Sequence, residues 1–90
     1  MSYFRGTIEM RIKVRLYGRY GEITGKKELE LLVKGNTIWD VIDVFAKKYP
    51  KIEKDKKFIM VLKNNIYTSF DEKIEEGDTI TISPPVVSGG

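Results

Sequence analysis

The group best suited to chemistry lies in the last eight residues of the sequence, Ser83-Pro84-Pro85-Val86-Val87-Ser88-Gly89-Gly90. The two prolines have no N–H for a sheet ladder, so they stiffen an extended exit from a strand. Gly89 and Gly90 have no Cβ, so this pair can pass through a narrow channel. The carboxylate of Gly90 is ionised at neutral pH and is a poor electrophile. It needs activation, most naturally as an acyl-adenylate that a partner makes from ATP, after which sulfur or an amine displaces AMP.

The composition of this tail favours a function over a frayed end. Val86 and Val87 are apolar, whereas flexible linkers are rarely apolar. Fully extended, residues 84–90 span at most about 25 Å, which is enough to reach the inside of another protein. We therefore expect the tail to present the Gly90 carboxylate to a partner.

The rest of the chain has little that could catalyse a reaction. It contains no Cys and no His, which excludes disulfides, thiolate nucleophiles, Cys-type zinc sites and imidazole bases. The acidic pairs Asp71-Glu72 and Glu75-Glu76 stand in a polar segment, where neighbouring carboxylates are usually just solvated. We expect no metal site and no cofactor bound by the chain, with ATP used by the activating partner.

Two further segments invite a binding role but favour a structural one. The glycines of residues 18–25 follow a strand, yet their spacing matches no phosphate-binding pattern, so they predict a plain inter-strand loop. Residues 47–57 form the densest basic stretch, but acidic residues interrupt it, which predicts a solvated helix end and loop. The net charge is only +3, so a nucleic-acid partner is not favoured.

The elements that must hold the tail follow from the apolar pattern. Strands are predicted over residues 10–17, 28–33, 58–62, 66–68 and 79–83. A helix is predicted over residues 37–49, with Thr37 as its N-cap, Asp40 close to a capping box, and Pro50 as its stop. This order predicts an α+β fold in which one main helix packs across one sheet. The predicted core comprises Ile12, Val14, Leu16, Val41, Ile42, Phe45, Ile80 and Ile82.

The length of 90 residues leaves room for one domain. We assign residues 1–9 to an N-terminal extension, residues 10–83 to the domain, and residues 84–90 to the tail. No apolar run approaches the length of a membrane span, and the first residues lack the apolar region of a secretory signal. These features predict a cytoplasmic protein without a membrane partner.

Several short motifs together resemble the small subunit of molybdopterin synthase, that is, the MoaD-like sulfur carriers. They are Ser69-Phe70-Asp71, Gly77-Asp78, Pro84-Pro85-Val86 and Gly89-Gly90. The loop that ends Glu22-Ile23-Thr24-Gly25 and the helix from Thr37 also resemble that family. The likeness covers roughly residues 10–90, and the tail holds one residue more between Pro85 and Gly89 than the familiar pattern.

The resemblance implies a β-grasp (ubiquitin-like) fold, with a mixed sheet of about five strands and one main helix. It implies that an E1-like enzyme adenylates Gly90 and that a sulfur donor converts it to a thiocarboxylate. It further implies docking on the large synthase subunit, whose active site receives the tail, and transfer of sulfur to a pterin precursor. The dithiolene formed there binds molybdenum or tungsten.

The resemblance also suggests roles for individual residues. Gly89 and Gly90 match the family's terminal pair, and Phe70 matches an apolar position near the partner surface. A plug of the core beneath its loop is an equal alternative for Phe70. The remaining partner-binding residues are those of the tail, namely Pro84, Pro85, Val86, Val87 and Ser88.

Two other functions remain open at this point. A ubiquitin-like protein modifier would pass the activated Gly90 carboxyl to a lysine amine and form an isopeptide bond. Its chemistry is identical up to the adenylate. A β-grasp binding module would contact RNA or protein through its sheet or through residues 47–57, and its tail would be idle.

Overall fold

Five strands form one mixed sheet within residues 9–85, the part of the chain that a computed structural model describes. The strands are β1 (Glu9–Leu16), β2 (Glu28–Lys34), β3 (Met60–Lys63), β4 (Ile66–Tyr67) and β5 (Thr79–Ser83). Their order across the sheet is β2-β1-β5-β3-β4. β1 and β5 pair in parallel, whereas the other neighbours are antiparallel. The predicted α+β architecture is confirmed.

Helix α2 (Ile38–Lys48) covers one face of the sheet. A short helix α1 (Arg19–Thr24) connects β1 to β2, and a 3₁₀ helix (Pro50–Asp55) follows α2. All eight residues predicted for the core are buried there. The same cluster also holds Tyr20, Leu31, Val33, Ile38, Ile52, Ile59, Val61 and Ile74. The apolar face of α2 and the inward face of the strands therefore form one core.

The start of α2 has the capping arrangement that its sequence predicts. Asp40 Oδ2 accepts the backbone N–H of Thr37 at 3.0 Å and that of Asn36 at 2.9 Å. Gly35 precedes them with φ of 116°, and a side chain there would collide with the Asp40 carboxylate. These bonds satisfy N–H groups that the first turn of a helix leaves free, so they fix where α2 begins.

The loop predicted over residues 18–25 contains α1 instead, and this prediction was wrong. Tyr20 is fully buried, so a contact with the core stabilises a turn of helix that the local sequence disfavours. Gly18 and Gly25 bound the helix, and both have positive φ. Gly18 and Gly25 therefore mark the two ends of a helix, and the segment between them is not a continuous loop.

Two boundaries after α2 also differ from the prediction. Pro50 follows the end of α2, as expected, but it also begins the 3₁₀ helix, whose Ile52 is buried. Proline suits the first position of a helix because its missing N–H would be free there anyway. β3 begins at Met60, and Phe58 stays 65% exposed. The apolar run 58–62 is thus a shorter strand with an exposed aromatic residue before it.

Two parts of the domain assignment, residues 1–8 and 86–90, lie outside the described residues, so the boundaries of the extension and of the tail remain predictions. Within residues 9–85, no helix is both long enough and apolar enough to cross a bilayer.

Candidate functional site at the exit of the tail

The tail leaves the sheet from its central strand. β5 lies between β1 and β3, and its residues Ile80, Thr81 and Ile82 are all buried. Ser83 pairs with Met60 on β3, at the last rung of the ladder. Pro84 and Pro85 follow and are half-buried. A strand held on both sides therefore fixes the point from which the tail departs.

The neighbouring strand ends at the same level. The backbone N–H of Tyr17 donates to the carbonyl of Ile82 at 3.1 Å, which adds one bond beyond the last residue of β1. Gly18 follows with φ of 58° and turns the chain into α1. A Cβ added to Gly18 would lie 3.0 Å from Cγ of Pro84. The first residue of the tail therefore lies directly against Gly18.

Of the site residues predicted from sequence, the structure describes Pro84, Pro85 and Phe70. The others lie outside the described residues and remain predictions; they are Val86, Val87, Ser88, Gly89 and Gly90.

Phe70 packs against the core and against the start of α2. It is half-buried, and its ring meets that of Trp39 edge to face, with 4.5 Å between the centroids. The Phe70 carbonyl accepts the N–H of Trp39 at 3.0 Å, which ties the loop to the helix. β4 and β5 both run antiparallel to β3, so the chain leaves both strands at the same end of the sheet. Phe70 thus combines a packing role with partial exposure, and its contact with a partner stays a prediction.

The face of the sheet opposite α2 carries apolar side chains that the sequence did not reveal. Across the strands, Arg15, Thr81, Leu62 and Tyr67 are direct neighbours in one row. Leu62 is half-buried and Tyr67 is 68% exposed. Beside the tail exit, Met60 is half-buried and Tyr17 is 56% exposed. These residues come from three predicted strands, 10–17, 58–62 and 66–68, and the pattern within each strand does not show that their outward side chains form one surface.

The charges on this open face are largely paired. Arg15 Nε lies 3.3 Å from Glu28 Oε2 on β2, and Lys13 is the direct neighbour of Glu30. Arg11 donates its backbone N–H to Glu76 Oε1 at 2.8 Å. Exposed pairs of this kind contribute little to stability, so the open face is a mixed surface around an apolar centre and not a basic patch.

Asp55 anchors α1 to the 3₁₀ helix. Its carboxylate accepts hydrogen bonds from the Arg19 guanidinium and from the Tyr20 hydroxyl, the latter at 3.0 Å. The bond from Arg19, helped by that from Tyr20, holds the pKa of Asp55 below its usual range. Burial, with the bond to Asp55, raises the pKa of Tyr20. The segment that carries Gly18 is therefore fixed to the body of the protein.

One residue of each acidic pair singled out in the sequence has a structural partner. Glu72 accepts Lys63 Nζ at 3.3 Å, and Glu76 binds the backbone of Arg11. Within residues 9–85, no group of Asp and Glu side chains is arranged to hold a metal ion.

Comparison with known proteins agrees with this architecture. The model of the ThiS family matches residues 14–90. The molybdopterin synthase sulfur carrier subunit of Arabidopsis thaliana is 32% identical over 85 residues, which are 93% of this chain and 88% of that protein. The small archaeal modifier protein 1 of Methanosarcina acetivorans is 28% identical, with a TM-score of 0.77 over 92% of this chain and 99% of that one.

A further solved structure is similar to the same extent. It is a Pyrococcus furiosus protein described provisionally as subunit 1 of molybdopterin converting factor, with 26% identity and a TM-score of 0.74. The alignment covers 86% of this chain and 99% of that one. The family match spans most of the sheet, α2 and the tail, so this chain belongs to the ThiS family, and within it is similar to the sulfur carrier subunit of molybdopterin synthase.

Proposed function

We propose that this protein carries sulfur as a thiocarboxylate on Gly90 and donates it to a pterin precursor during molybdopterin synthesis. In the first step, a Gly90 carboxylate oxygen bonds to the α-phosphorus of ATP, and pyrophosphate leaves. In the second, a sulfide-level donor forms a C–S bond with the Gly90 carbonyl carbon, and AMP leaves with the original oxygen. The adenylating enzyme and the sulfur donor supply the catalysis.

The observation that carries this proposal is the exit of the tail from the central strand. β5 is buried between two neighbours, and Pro84 and Pro85 end its ladder. The family match continues to residue 90, so it includes the two terminal glycines. A tail that starts from a fixed strand and ends in two glycines is suited to carry a carboxyl group into a partner's active site.

The partner whose active site would receive the tail, and in which the pterin precursor would accept the sulfur, is the large subunit of a molybdopterin synthase. The Arabidopsis relative is named as a subunit of that enzyme. The open sheet face around Leu62, with Tyr17 and Met60 beside the tail exit, is the apolar surface on which such a subunit would dock. Apolar centres with polar surroundings are typical of protein interfaces.

Intact-mass spectrometry tests the proposal directly. The chain is incubated with an E1-like adenylating enzyme, ATP and a sulfur donor, and the enzyme is shown to be active on another carrier. We expect a mass gain equal to the replacement of one oxygen by sulfur, located at Gly90. A chain without Gly90 is the control and should gain nothing. If the full chain also gains nothing, the proposal is wrong.

A second candidate function is conjugation to lysines, which the similarity to a small archaeal modifier protein favours. The adenylate would then be attacked by a lysine amine, with loss of AMP. No Lys or Arg lies between residues 74 and 90, so trypsin would leave the whole segment 74–90 on the modified lysine. Branched peptides with this remnant in a cell digest, absent when Gly90 is deleted, would establish this function.

A further inference from the structure

The paths of β1 and β5 separate at a single point. The two strands run in parallel up to the bond between the Tyr17 N–H and the Ile82 carbonyl. After it, Gly18 turns the chain into α1, and Pro84 has no N–H with which to extend the ladder. Gly18 and Pro84 therefore stand side by side where the tail begins.

The contact between these two residues depends on the missing side chain of Gly18. A Cβ at this position would lie 3.0 Å from Cγ and 3.3 Å from Cδ of Pro84. Both distances are shorter than most contacts between carbon atoms, whose optimum is about 3.5–4.0 Å. The proline ring thus occupies the space into which any side chain at residue 18 would project.

The segment that carries Gly18 is not free to move away. Arg19 and Tyr20 both bind Asp55, and Tyr20 is fully buried in the core. On the other side, Ser83 is paired with Met60. A group added to Gly18 would therefore displace the Pro84 ring and not the body of the domain.

We propose that Gly18 is a positioning residue, which sets the direction in which the tail leaves β5. This inference rests on the proposed function, because the direction of residues 84–90 matters only if Gly90 must reach a partner's site. Gly18 is assigned no part in the chemistry of the carboxyl group. It acts through Pro84, at the base of a tail whose reacting group is six residues farther on.

The variant Gly18→Ala tests the inference in pyrophosphate exchange catalysed by the adenylating enzyme. We expect kcat to fall about tenfold or more, since small misplacements of a reacting group are costly. The KM for the carrier should change less than about twofold, because the substitution adds one methyl group at the base of the tail and leaves the other surface side chains unaltered. The assay is run where circular dichroism shows the variant to be folded.

Gly25→Ala is the matched control. Gly25 ends α1 with φ of 75°, so alanine is strained there too, but no atom lies within 4 Å of an added Cβ. Displacement of the tail would act only on Gly18→Ala. Backbone strain would act on both variants, but more on Gly18→Ala, because Gly18 has φ of 58° and ψ of −140° whereas Gly25 is left-handed; the double variant Gly18→Ala/Pro84→Ala separates strain from displacement. We expect the kcat of Gly25→Ala to stay within about twofold of the unaltered chain.

A second variant distinguishes displacement of the Pro84 ring from a general disturbance of the fold. Pro84→Ala removes Cγ and Cδ, the two atoms that the new Cβ would meet. In the double variant Gly18→Ala/Pro84→Ala, kcat should rise to at least that of Pro84→Ala alone. In the unaltered chain, nuclear Overhauser cross-peaks should join the α-protons of Gly18 to the ring protons of Pro84.

The outcomes can be told apart. Equal kcat for Gly18→Ala and Gly25→Ala would overturn the inference, as would missing cross-peaks. So would a double variant whose kcat lies as far below that of Pro84→Ala as the kcat of Gly18→Ala lies below that of the unaltered chain. None of these results would affect the proposed function, provided the unaltered chain supports exchange. No exchange with the unaltered chain, on an enzyme active with another carrier, would overturn both.

Discussion

The two ends of β5 are finished in opposite ways. At its start, Asn64 exchanges two bonds with Thr79, one from its backbone N–H and one to its side-chain oxygen. Asp78 accepts the N–H of Glu75 at 2.7 Å and the Asn64 amide at 3.1 Å. At its finish stand Pro84, without an N–H, and Gly18, without a side chain. At the start, side-chain hydrogen bonds close the strand, whereas at the finish the ladder stops because Pro84 has no N–H to continue it.

The start and middle of β5 therefore stabilise the fold, whereas its end positions the tail for sulfur transfer. Side-chain bonds at the start of β5 hold the strand in register, and the core beneath its middle holds it in place. The finish adds few bonds but fixes a direction. Substitutions along β5 and its tail should therefore shift from effects on unfolding to effects on sulfur transfer.

Deletion of Gly90 should have the largest effect on activity and the smallest on folding. Without it, the carboxyl group moves back by one residue and no longer reaches the site of adenylation, so thiocarboxylate formation should fall below detection. The melting curve should be unchanged. Mass spectrometry and circular dichroism on the same sample measure both, and a clear loss of stability would break the separation.

Truncation in the middle of the strand should do the reverse. Ile80 is fully buried, so Ile80→Ala should lower the free energy of unfolding by about 2–5 kcal/mol. Urea denaturation measures this loss. Among the molecules that remain folded, the rate of thiocarboxylate formation should match that of the unaltered chain.

A smaller loss of stability is expected at the closed end. Asp78→Ala removes the acceptor of two hydrogen bonds, so the free energy of unfolding should fall by about 1–2 kcal/mol. Activity per folded molecule should not change. Asp71→Ala is the control, because Asp71 is an exposed residue in the same polar segment. It should leave the free energy of unfolding nearly unaltered.

The subtlest effect concerns pH and the anchor of α1. Arg19 lowers the pKa of Asp55 in the folded state. The Asp55 carboxylate therefore binds a proton less readily in the folded state than in the unfolded chain, where the pKa of an aspartate is about 3.9. The resulting stability is present above that pKa and is lost as pH falls through the folded value. The variant Asp55→Asn should therefore lose less stability on acidification than the unaltered chain. Melting temperatures between about pH 6 and 3 would show it, and parallel curves would contradict it.

Much of the fold could be predicted because its signals are local. Strict alternation over Ile12, Val14 and Leu16 requires a strand with one buried face. Asn64 and Asn65 both adopt the positive φ that their tight turn needs, 50° and 74°. Asp40 is three residues after Thr37, so its carboxylate can reach back to the N-cap. None of these features depends on the rest of the chain.

The parts that sequence missed depend on distant contacts. Three glycines in eight residues argue against a helix, and only burial of Tyr20 and the bonds to Asp55 stabilise α1. The contact between Gly18 and Pro84 joins residues that follow the first and last strands, so no local pattern reveals it. The apolar residues of the open face come from three separate strands, so only the pairing of those strands brings them together.

The central place of β5 also has a consequence for synthesis of the chain. In the order β2-β1-β5-β3-β4, removal of β5 leaves two separate hairpins, and an isolated hairpin is marginally stable at best in water. The sheet therefore closes only after the ribosome has added residue 83. A product that stops before residue 79 lacks β5 and cannot assemble this sheet.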